Sequence, residues 1–191
     1  HSVRLQIGIP LFFVDLKNVN FINCYYGYRI ISNPDNVENI QIINPGYSAF
    51  FLYEDATMEN VQIIDNTNYD FVFQQKTSPT VNLINSKGDI DNYTIATNRV
   101  GTSTLNLQAR INISIENGSG ATATLYDQND NVVATDTLDA DGKWDLTNPV
   151  TYVQRYVETD GSEVVENTKT TYEPFKLVVT KDGYQTLTIP N

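Results

Sequence analysis

Residues 37–44 read VENIQIIN and residues 58–65 read MENVQIID, two near-copies of one octet. Working outward, LKNVNFIN at 16–23 precedes them and SPTVNLIN at 78–85 follows, so the spacings are 21, 21 and 20. One column, Val19, Ile40, Val61 and Val81, is β-branched throughout, and the next but one, Phe21, Ile42, Ile63 and Leu83, is wholly apolar. The column of Ile22, Ile43, Ile64 and Ile84 is apolar too, and Ile43 and Ile64 are expected to face the core. A second apolar stretch follows each octet: YGYRII at 26–31, YSAFFL at 47–52, NYDFVF at 68–73 and, more weakly, GDIDNYTI at 88–95. Each period therefore carries two strands separated by turn residues. A period near 21 without helical spacing or leucine-rich signature predicts a solenoid of parallel strands, in which each coil covers the apolar face of the next.

These repeats resemble the right-handed parallel β-helix family, the fold of pectate lyases and phage tailspikes, over roughly residues 3–97. The column that closes each octet, Asn23, Asn44, Asp65 and Asn85, is similar to that family's asparagine ladder, in which stacked side-chain amides bond along the solenoid axis. Asp65 departs from the pattern but can still accept from a neighbouring amide. Arg4 to Pro10 fall opposite Tyr25 to Ile31, so residues 3–15 read as the later part of a coil. Val3, Leu5, Ile7 and Ile9 alternate on one face of that strand. This makes it an expected assembly edge, open to strand addition by a second copy or by a neighbouring domain of a longer chain.

After Arg99 the register lapses, VGTST at 100–104 reads as a linker, and the pattern changes to hairpins. ARINISIENG alternates apolar Ile111, Ile113 and Ile115 with polar residues, and Asp-Gly turns recur at Asp160-Gly161 and Asp182-Gly183. The stretch ATLYDQNDNVVATDTLDADGKWDL resembles the small Ig-like domains related to the carboxypeptidase regulatory domain, with Asn131 in place of the first glycine and Trp144 as core anchor. The expected fold class is all-β: residues 1–99 a short parallel β-helix of about four coils, residues 100–191 an antiparallel Ig-like β-sandwich.

Composition narrows function. Twelve basic against 23 acidic residues give a net charge of −11 with no basic cluster, so duplex nucleic acid is not an expected partner. The longest apolar run, GIPLFFV at 8–14, is too short for a helix to cross a bilayer, and no signal peptide is evident in the chain. The single cysteine, Cys24, forms no internal disulfide and is expected to be buried. The single histidine, His1, leaves no Ser-His-Asp or Cys-His pair. Asp35, Glu54, Asp55, Asp65 and Asp70 lie near turns of successive coils, where the β-helix resemblance implies that carboxylates of polysaccharide-cleaving enzymes cluster. No catalytic residues and no cofactor are assigned, and Asp139 and Asp141 in DADG give only a hint of calcium, a hairpin turn being the simpler reading. The sequence therefore points to an extracellular or cell-surface structural or adhesive protein, not an enzyme, that self-associates as a filament, sheath or fibre. The other reading is a carbohydrate-binding or polysaccharide-cleaving β-helix with glycans as partners.

Overall fold

The computed structural model describes residues 16–30, 37–73, 78–95, 100–146, 148–161 and 163–190. The expected assembly edge, Val3, Leu5, Ile7 and Ile9, lies outside them, as does Asp35. Among the described residues every regular element is a strand. In chain order these are β1 (Leu16–Ile22), β2 (Tyr26–Ile30), β3 (Val37–Ile43), β4 (Ser48–Leu52), β5 (Ala56–Glu59), β6 (Gln62–Ile64), β7 (Tyr69–Phe73), β8 (Thr80–Ile84) and β9 (Tyr93–Ile95). There follow β10 (Gly101–Ala109), β11 (Asn112–Ser114), β12 (Thr122–Tyr126), β13 (Val132–Thr137), β14 (Lys143–Asp145), β15 (Val150–Asp160), β16 (Glu163–Thr171), β17 (Lys176–Thr180) and β18 (Leu187–Ile189).

Two compact units result. One runs to Gln108 and takes in Gln154–Thr170; the other holds Ala109–Val153 and the residues from Thr171 onward. The first unit is a β-solenoid of about four turns, one for each strand of its smaller sheet, β2-β4-β7-β9. Its larger sheet stacks β1, β3, β5 with β6, β8 and β10 in parallel, and then adds the β15–β16 hairpin. Leu16 pairs with Val37 and Val37 with Met58, while Ile42 pairs with Ile63, the same interval each time. Matched octets are thus neighbours on adjacent coils.

The core is the space between the two sheets. Ile40, Ile42, Phe50, Leu52, Met58, Phe71, Phe73, Leu83 and Leu105 are fully buried there, and the Phe50 and Phe71 rings stack at 6.1 Å. Burial of each such side chain contributes roughly 1.5–3 kcal/mol. This stacking makes the repeat a fold: a single coil has no second layer to cover its apolar face, whereas each added coil covers the last.

The inward face differs from the expected one in a single column. Ile42 is fully buried, but Ile43 and Ile64 are only partly so and Ile22 is 51% exposed, so these three point away from the core. The reason is period-two geometry: with Ile40 and Ile42 inward, Ile43 must face out. A second correction concerns the fourth coil. Ala56 pairs with Val81 and Met58 with Leu83, whereas sequence similarity set Val81 opposite Val61 and Leu83 opposite Ile63. A third concerns VGTST, of which all but Val100 lie in β10, a strand paired in parallel with β8. A search for a constant register misses this rung. Leu105 and Leu107 nevertheless continue the columns of Val81 and Leu83.

The second unit consists of antiparallel sheets, β13-β12-β17-β18 and β11-β14. Ile113, Ala123, Leu125, Leu138, Trp144, Leu146 and Val179 form one buried cluster. Its turns use glycine at positive φ where the chain reverses, at Gly142 and Gly183. In the turn after β12 it is Asp130, not Asn131, that takes the positive φ.

Candidate functional site

Two columns of side chains shape the corners of the solenoid. Asn18, Asn39 and Asn60, and likewise Asn23, Asn44 and Asp65, all have φ between 48° and 56°. Asparagine tolerates this left-handed conformation better than other non-glycine residues. In each of the first three octets such a residue sits one position before the column of Val19, Ile40 and Val61, so the backbone bends there and the following apolar side chains return to the core. Asn44 Nδ2 donates to Asn23 Oδ1 at 2.9 Å, and the Asn44 amide donates to the Ile64 carbonyl. Asn39 Nδ2 donates to Asn18 Oδ1 and Asn60 Nδ2 to Asn39 Oδ1, each at 3.1 Å. This second column was visible in the octets as LKN, VEN and MEN but is not the one that closes them.

Asn85 joins the Asn18, Asn39 and Asn60 column. The longer step between the third and fourth octets sets it beside Asn60, whose amide donates to the Ile84 carbonyl. Ser86 then fills the place next to Val61, its Oγ accepting from the Val61 amide at 3.0 Å and donating to the Ile84 carbonyl at 2.8 Å. A third polar column runs along the outer face of the larger sheet. Asn82 donates to Thr57 Oγ1, Asn106 to Asn82 Oδ1 and Gln154 to Asn106 Oδ1. Thr159 Oγ1 reaches the Gly101 carbonyl, so β15 runs antiparallel to β10 and closes that edge of the parallel sheet.

Of the turn carboxylates, Asp70 is buried and Asp55 accepts from the Thr80 amide. Asp70 takes hydrogen bonds from Asn66 Nδ2 and the Asp89 amide, both at 2.6 Å, and from Asn92 Nδ2 at 3.1 Å. Burial pushes its pKa above the usual aspartate value, with the neighbouring Asp89 charge adding to the rise and the three donors opposing it. The carboxylate ties the corner loops of two successive coils beside an open hollow of about 520 Å³ lined by Ile63, Lys87, Gly88 and Asp89. All the polar contacts of Asp70 are internal, as a tether requires.

Aromatic side chains form a column at the entrance to the smaller sheet. Tyr25 and Tyr47 stack at 5.9 Å, Tyr47 meets Tyr69 edge to face at 6.0 Å, and Tyr26 packs on Phe51 at 4.8 Å. Tyr25, Tyr26 and Tyr69 remain exposed. Cys24, beside them, is only partly buried, with its Sγ 3.7 Å from the Ile22 carbonyl.

At the C-terminal end of the solenoid lies a cleft of about 780 Å³ between β9 and the hairpin, lined by Asp91, Tyr93, Ile95, Arg155, Asn167 and Lys169. The Arg155 guanidinium lies 5.7 Å over the Tyr93 ring and donates to Asn167 Oδ1 at 2.9 Å. Arg155 and Lys169 both pair with Asp91. Desolvation lowers the Arg155 pKa and raises that of Tyr93.

In the second unit Asp139 Oδ1 accepts from the amides of Asp141 and Lys143, at 2.9 and 2.8 Å, which is the bonding of a hairpin turn. Among the described residues no group of three or more His, Cys, Asp or Glu side chains comes together as a metal ion would need. Asp127 holds its turn in the same way, accepting from Asn129 and Asn131, and the Asn131 side chain foremost lowers its pKa. Compared with known proteins, the chain matches no family model, no curated protein and no solved structure.

Proposed function

We propose that the chain is a structural and adhesive segment of an extracellular, cell-surface assembly, a filament, sheath or fibre whose parts join by strand addition. On this reading the solenoid is the stiff element and is of the right-handed, pectate-lyase-like or tailspike-like kind. The second unit is an Ig-like module akin to the carboxypeptidase regulatory domain. The observation that carries the reading is the partly covered apolar face of β1. Val37, Ile40 and Ile42 are at most 2% exposed, whereas Leu16, Val19 and Phe21, their counterparts on β1, are only half-buried. Among the described residues no strand pairs with the outer edge of β1. An apolar column and a row of backbone donors and acceptors at one end favour a further strand, from the same protein or from a neighbour. Negative-stain microscopy of the purified chain over a concentration series tests this. Long ordered polymers are expected, and particles that stay monomeric at every concentration would overturn self-association.

A second reading, a carbohydrate-binding solenoid, is favoured by the exposed tyrosine column, because aromatic rings offer apolar surface beside polar tips. Affinity electrophoresis through soluble polysaccharides, comparing the chain with Tyr25→Ala and Tyr69→Ala variants, tests it. Equal mobility in every polysaccharide would remove this reading.

A further inference from the structure

The two sheets of the solenoid do not end together. The larger one continues past β8 through β10, β15 and β16, while the smaller one stops at β9, and among the described residues no strand lies beyond it. The cleft of about 780 Å³ sits at this step. Tyr93 and Ile95 belong to the inward columns there, since Tyr93 pairs with Phe71 and Ile95 with Phe73, both fully buried. On β9 itself these positions are only partly covered. One more strand in the smaller sheet would bring its alternate side chains over Tyr93 and Ile95, with Val164 of the hairpin as the facing apolar wall.

We propose that β9 is an acceptor edge, and that its occupant is the segment of residues 3–9 of a second copy, whose alternating sequence predicts a strand, added in parallel as the next rung of the smaller sheet. The inference rests on the self-association proposed above and names its joint. The segment VRLQIGI is in phase with this sheet: Arg4 to Pro10 fall opposite Tyr25 to Ile31, and Tyr28, Phe50, Phe71 and Tyr93 form one paired column. Carrying that column on places Ile7 in the rung after Tyr93, next to the Arg155 guanidinium that lies over that ring, Ile9 over Ile95 and Gly8 beside Thr94. Leu5, Ile7 and Ile9 then enter the apolar part of the cleft. Arg4 and Gln6 fall on the opposite face, which keeps the Arg4 charge away from Arg155 and Lys169. Because donor strand and acceptor edge are different surfaces, the contact is head-to-tail and does not close as a two-fold dimer; it extends as an open fibre where the rotation between copies does not close a ring.

The test is a pairwise disulfide trap in a Cys24→Ser background. One tagged chain carries Gly8→Cys and a second carries Thr94→Cys, because directly paired strand residues lie within disulfide reach. A parallel mixture replaces Thr94→Cys by Val165→Cys on the outer strand of the hairpin. The expected result is a mixed-tag dimer for the 8–94 pair and none for the 8–165 pair. As a check that needs no substitution, a synthetic peptide of residues 3–10 in molar excess should slow polymer growth of the unmodified chain roughly tenfold by occupying the same edge, and a scrambled peptide should not. Polymers that form with no 8–94 bond and ignore the peptide would overturn this joint while leaving self-association standing. A chain that never associates would overturn both.

Discussion

Replacing Asn39 by alanine isolates what the corner column contributes. Its φ of 56° is a conformation that costs an alanine roughly 1 kcal/mol more than an asparagine. The substitution also removes the two hydrogen bonds of the corner column, the one Asn39 donates to Asn18 and the one it accepts from Asn60, besides a long 3.5 Å contact to Glu38 that is left out of the sum. Both are exposed to water, so each contributes about 0.5 kcal/mol, the low end for such bonds. The expected loss is therefore about 2 kcal/mol. Asn39→Gly separates the two parts, because glycine adopts the positive φ freely and loses the same bonds, so its loss should be about 1–1.5 kcal/mol. Urea unfolding followed by far-UV circular dichroism measures both. Fluorescence of Trp144, buried in the core of the second unit, reports that unit separately. A loss below about 0.5 kcal/mol for Asn39→Ala would refute the assigned role, since neither the backbone nor the bond contribution would then be present. Equal losses for alanine and glycine would refute the backbone part alone.

Ile42→Ala should cost about 2–5 kcal/mol by leaving a cavity between the sheets, whereas Ile43→Ala, on the outward column, should cost well under half as much; denaturant midpoints that reverse this order would contradict the assigned faces. Trp144→Ala should cost about 3–5 kcal/mol and appear in calorimetry as a lower transition for the second unit. Asp70, whose folded pKa is raised, favours the folded state most below the unfolded value of 3.8 and loses that contribution as pH rises through its folded pKa. The stability difference between the chain and Asp70→Asn, measured across acid to neutral pH, should therefore move in the variant's favour with rising pH and then level off. Asp127, whose pKa is lowered, has the opposite sign: its contribution is present above 3.8 and fades as pH falls through the lowered value, so Asp127→Ala should matter least in strong acid.

The solenoid was legible because its physics is local and repeated. An octet that recurs at a fixed interval with Ile40, Ile42 and their counterparts in fixed columns leaves few structures in which those columns meet. Less legible was anything that depends on coil length. The step from the third octet to the fourth is longer than the two before it, so aligning octets by similarity placed Val81 beside Val61, whereas backbone pairing sets it beside Ala56. The same slip assigned Asn85 to the wrong corner. The fifth rung, β10, has no octet at all; Leu105 and Leu107 supply its apolar pattern, and a strand with polar Thr102, Thr104 and Asn106 beside them looks like a linker until a sheet is there to receive it. Ile43 was misread for a related reason. Its column is as apolar as the inward ones, and only the left-handed corner at Asn39, which a string of letters does not display, fixes which face each residue takes. The cleft beside β9 was invisible in sequence, because its residues come from distant segments of the chain that meet only where the hairpin returns to the sheet.

That hairpin changes what the end of the solenoid can do. A parallel sheet that stopped at β10 would present a long bare edge, and natural sheets protect such edges because they recruit other chains. Here β15 covers it, held by Gln154 on Asn106 and Thr159 on Gly101, and transfers the edge to β16, which carries Glu163, Glu166 and Lys169. Charged side chains on an outer strand discourage nonspecific pairing, so β16 is guarded although Val164 and Val165 are exposed. Among the described residues the smaller sheet receives no such cover: β9 is short, uncharged, and stands beside a cleft with Tyr93 at its mouth. Of the two edges at this end, one is blunted and the other is left open next to a cleft whose apolar part is Tyr93, Ile95 and Val164. That asymmetry directs an incoming strand to β9, and Ile95→Lys, which places a charge where Ile9 would pack, beside the Arg155 and Lys169 cations, should prevent polymer growth while leaving the far-UV spectrum unchanged. If polymers of the Ile95→Lys chain grew at the unmodified rate, β9 could not be the acceptor, and the guarded edge at β16 would have to be reconsidered.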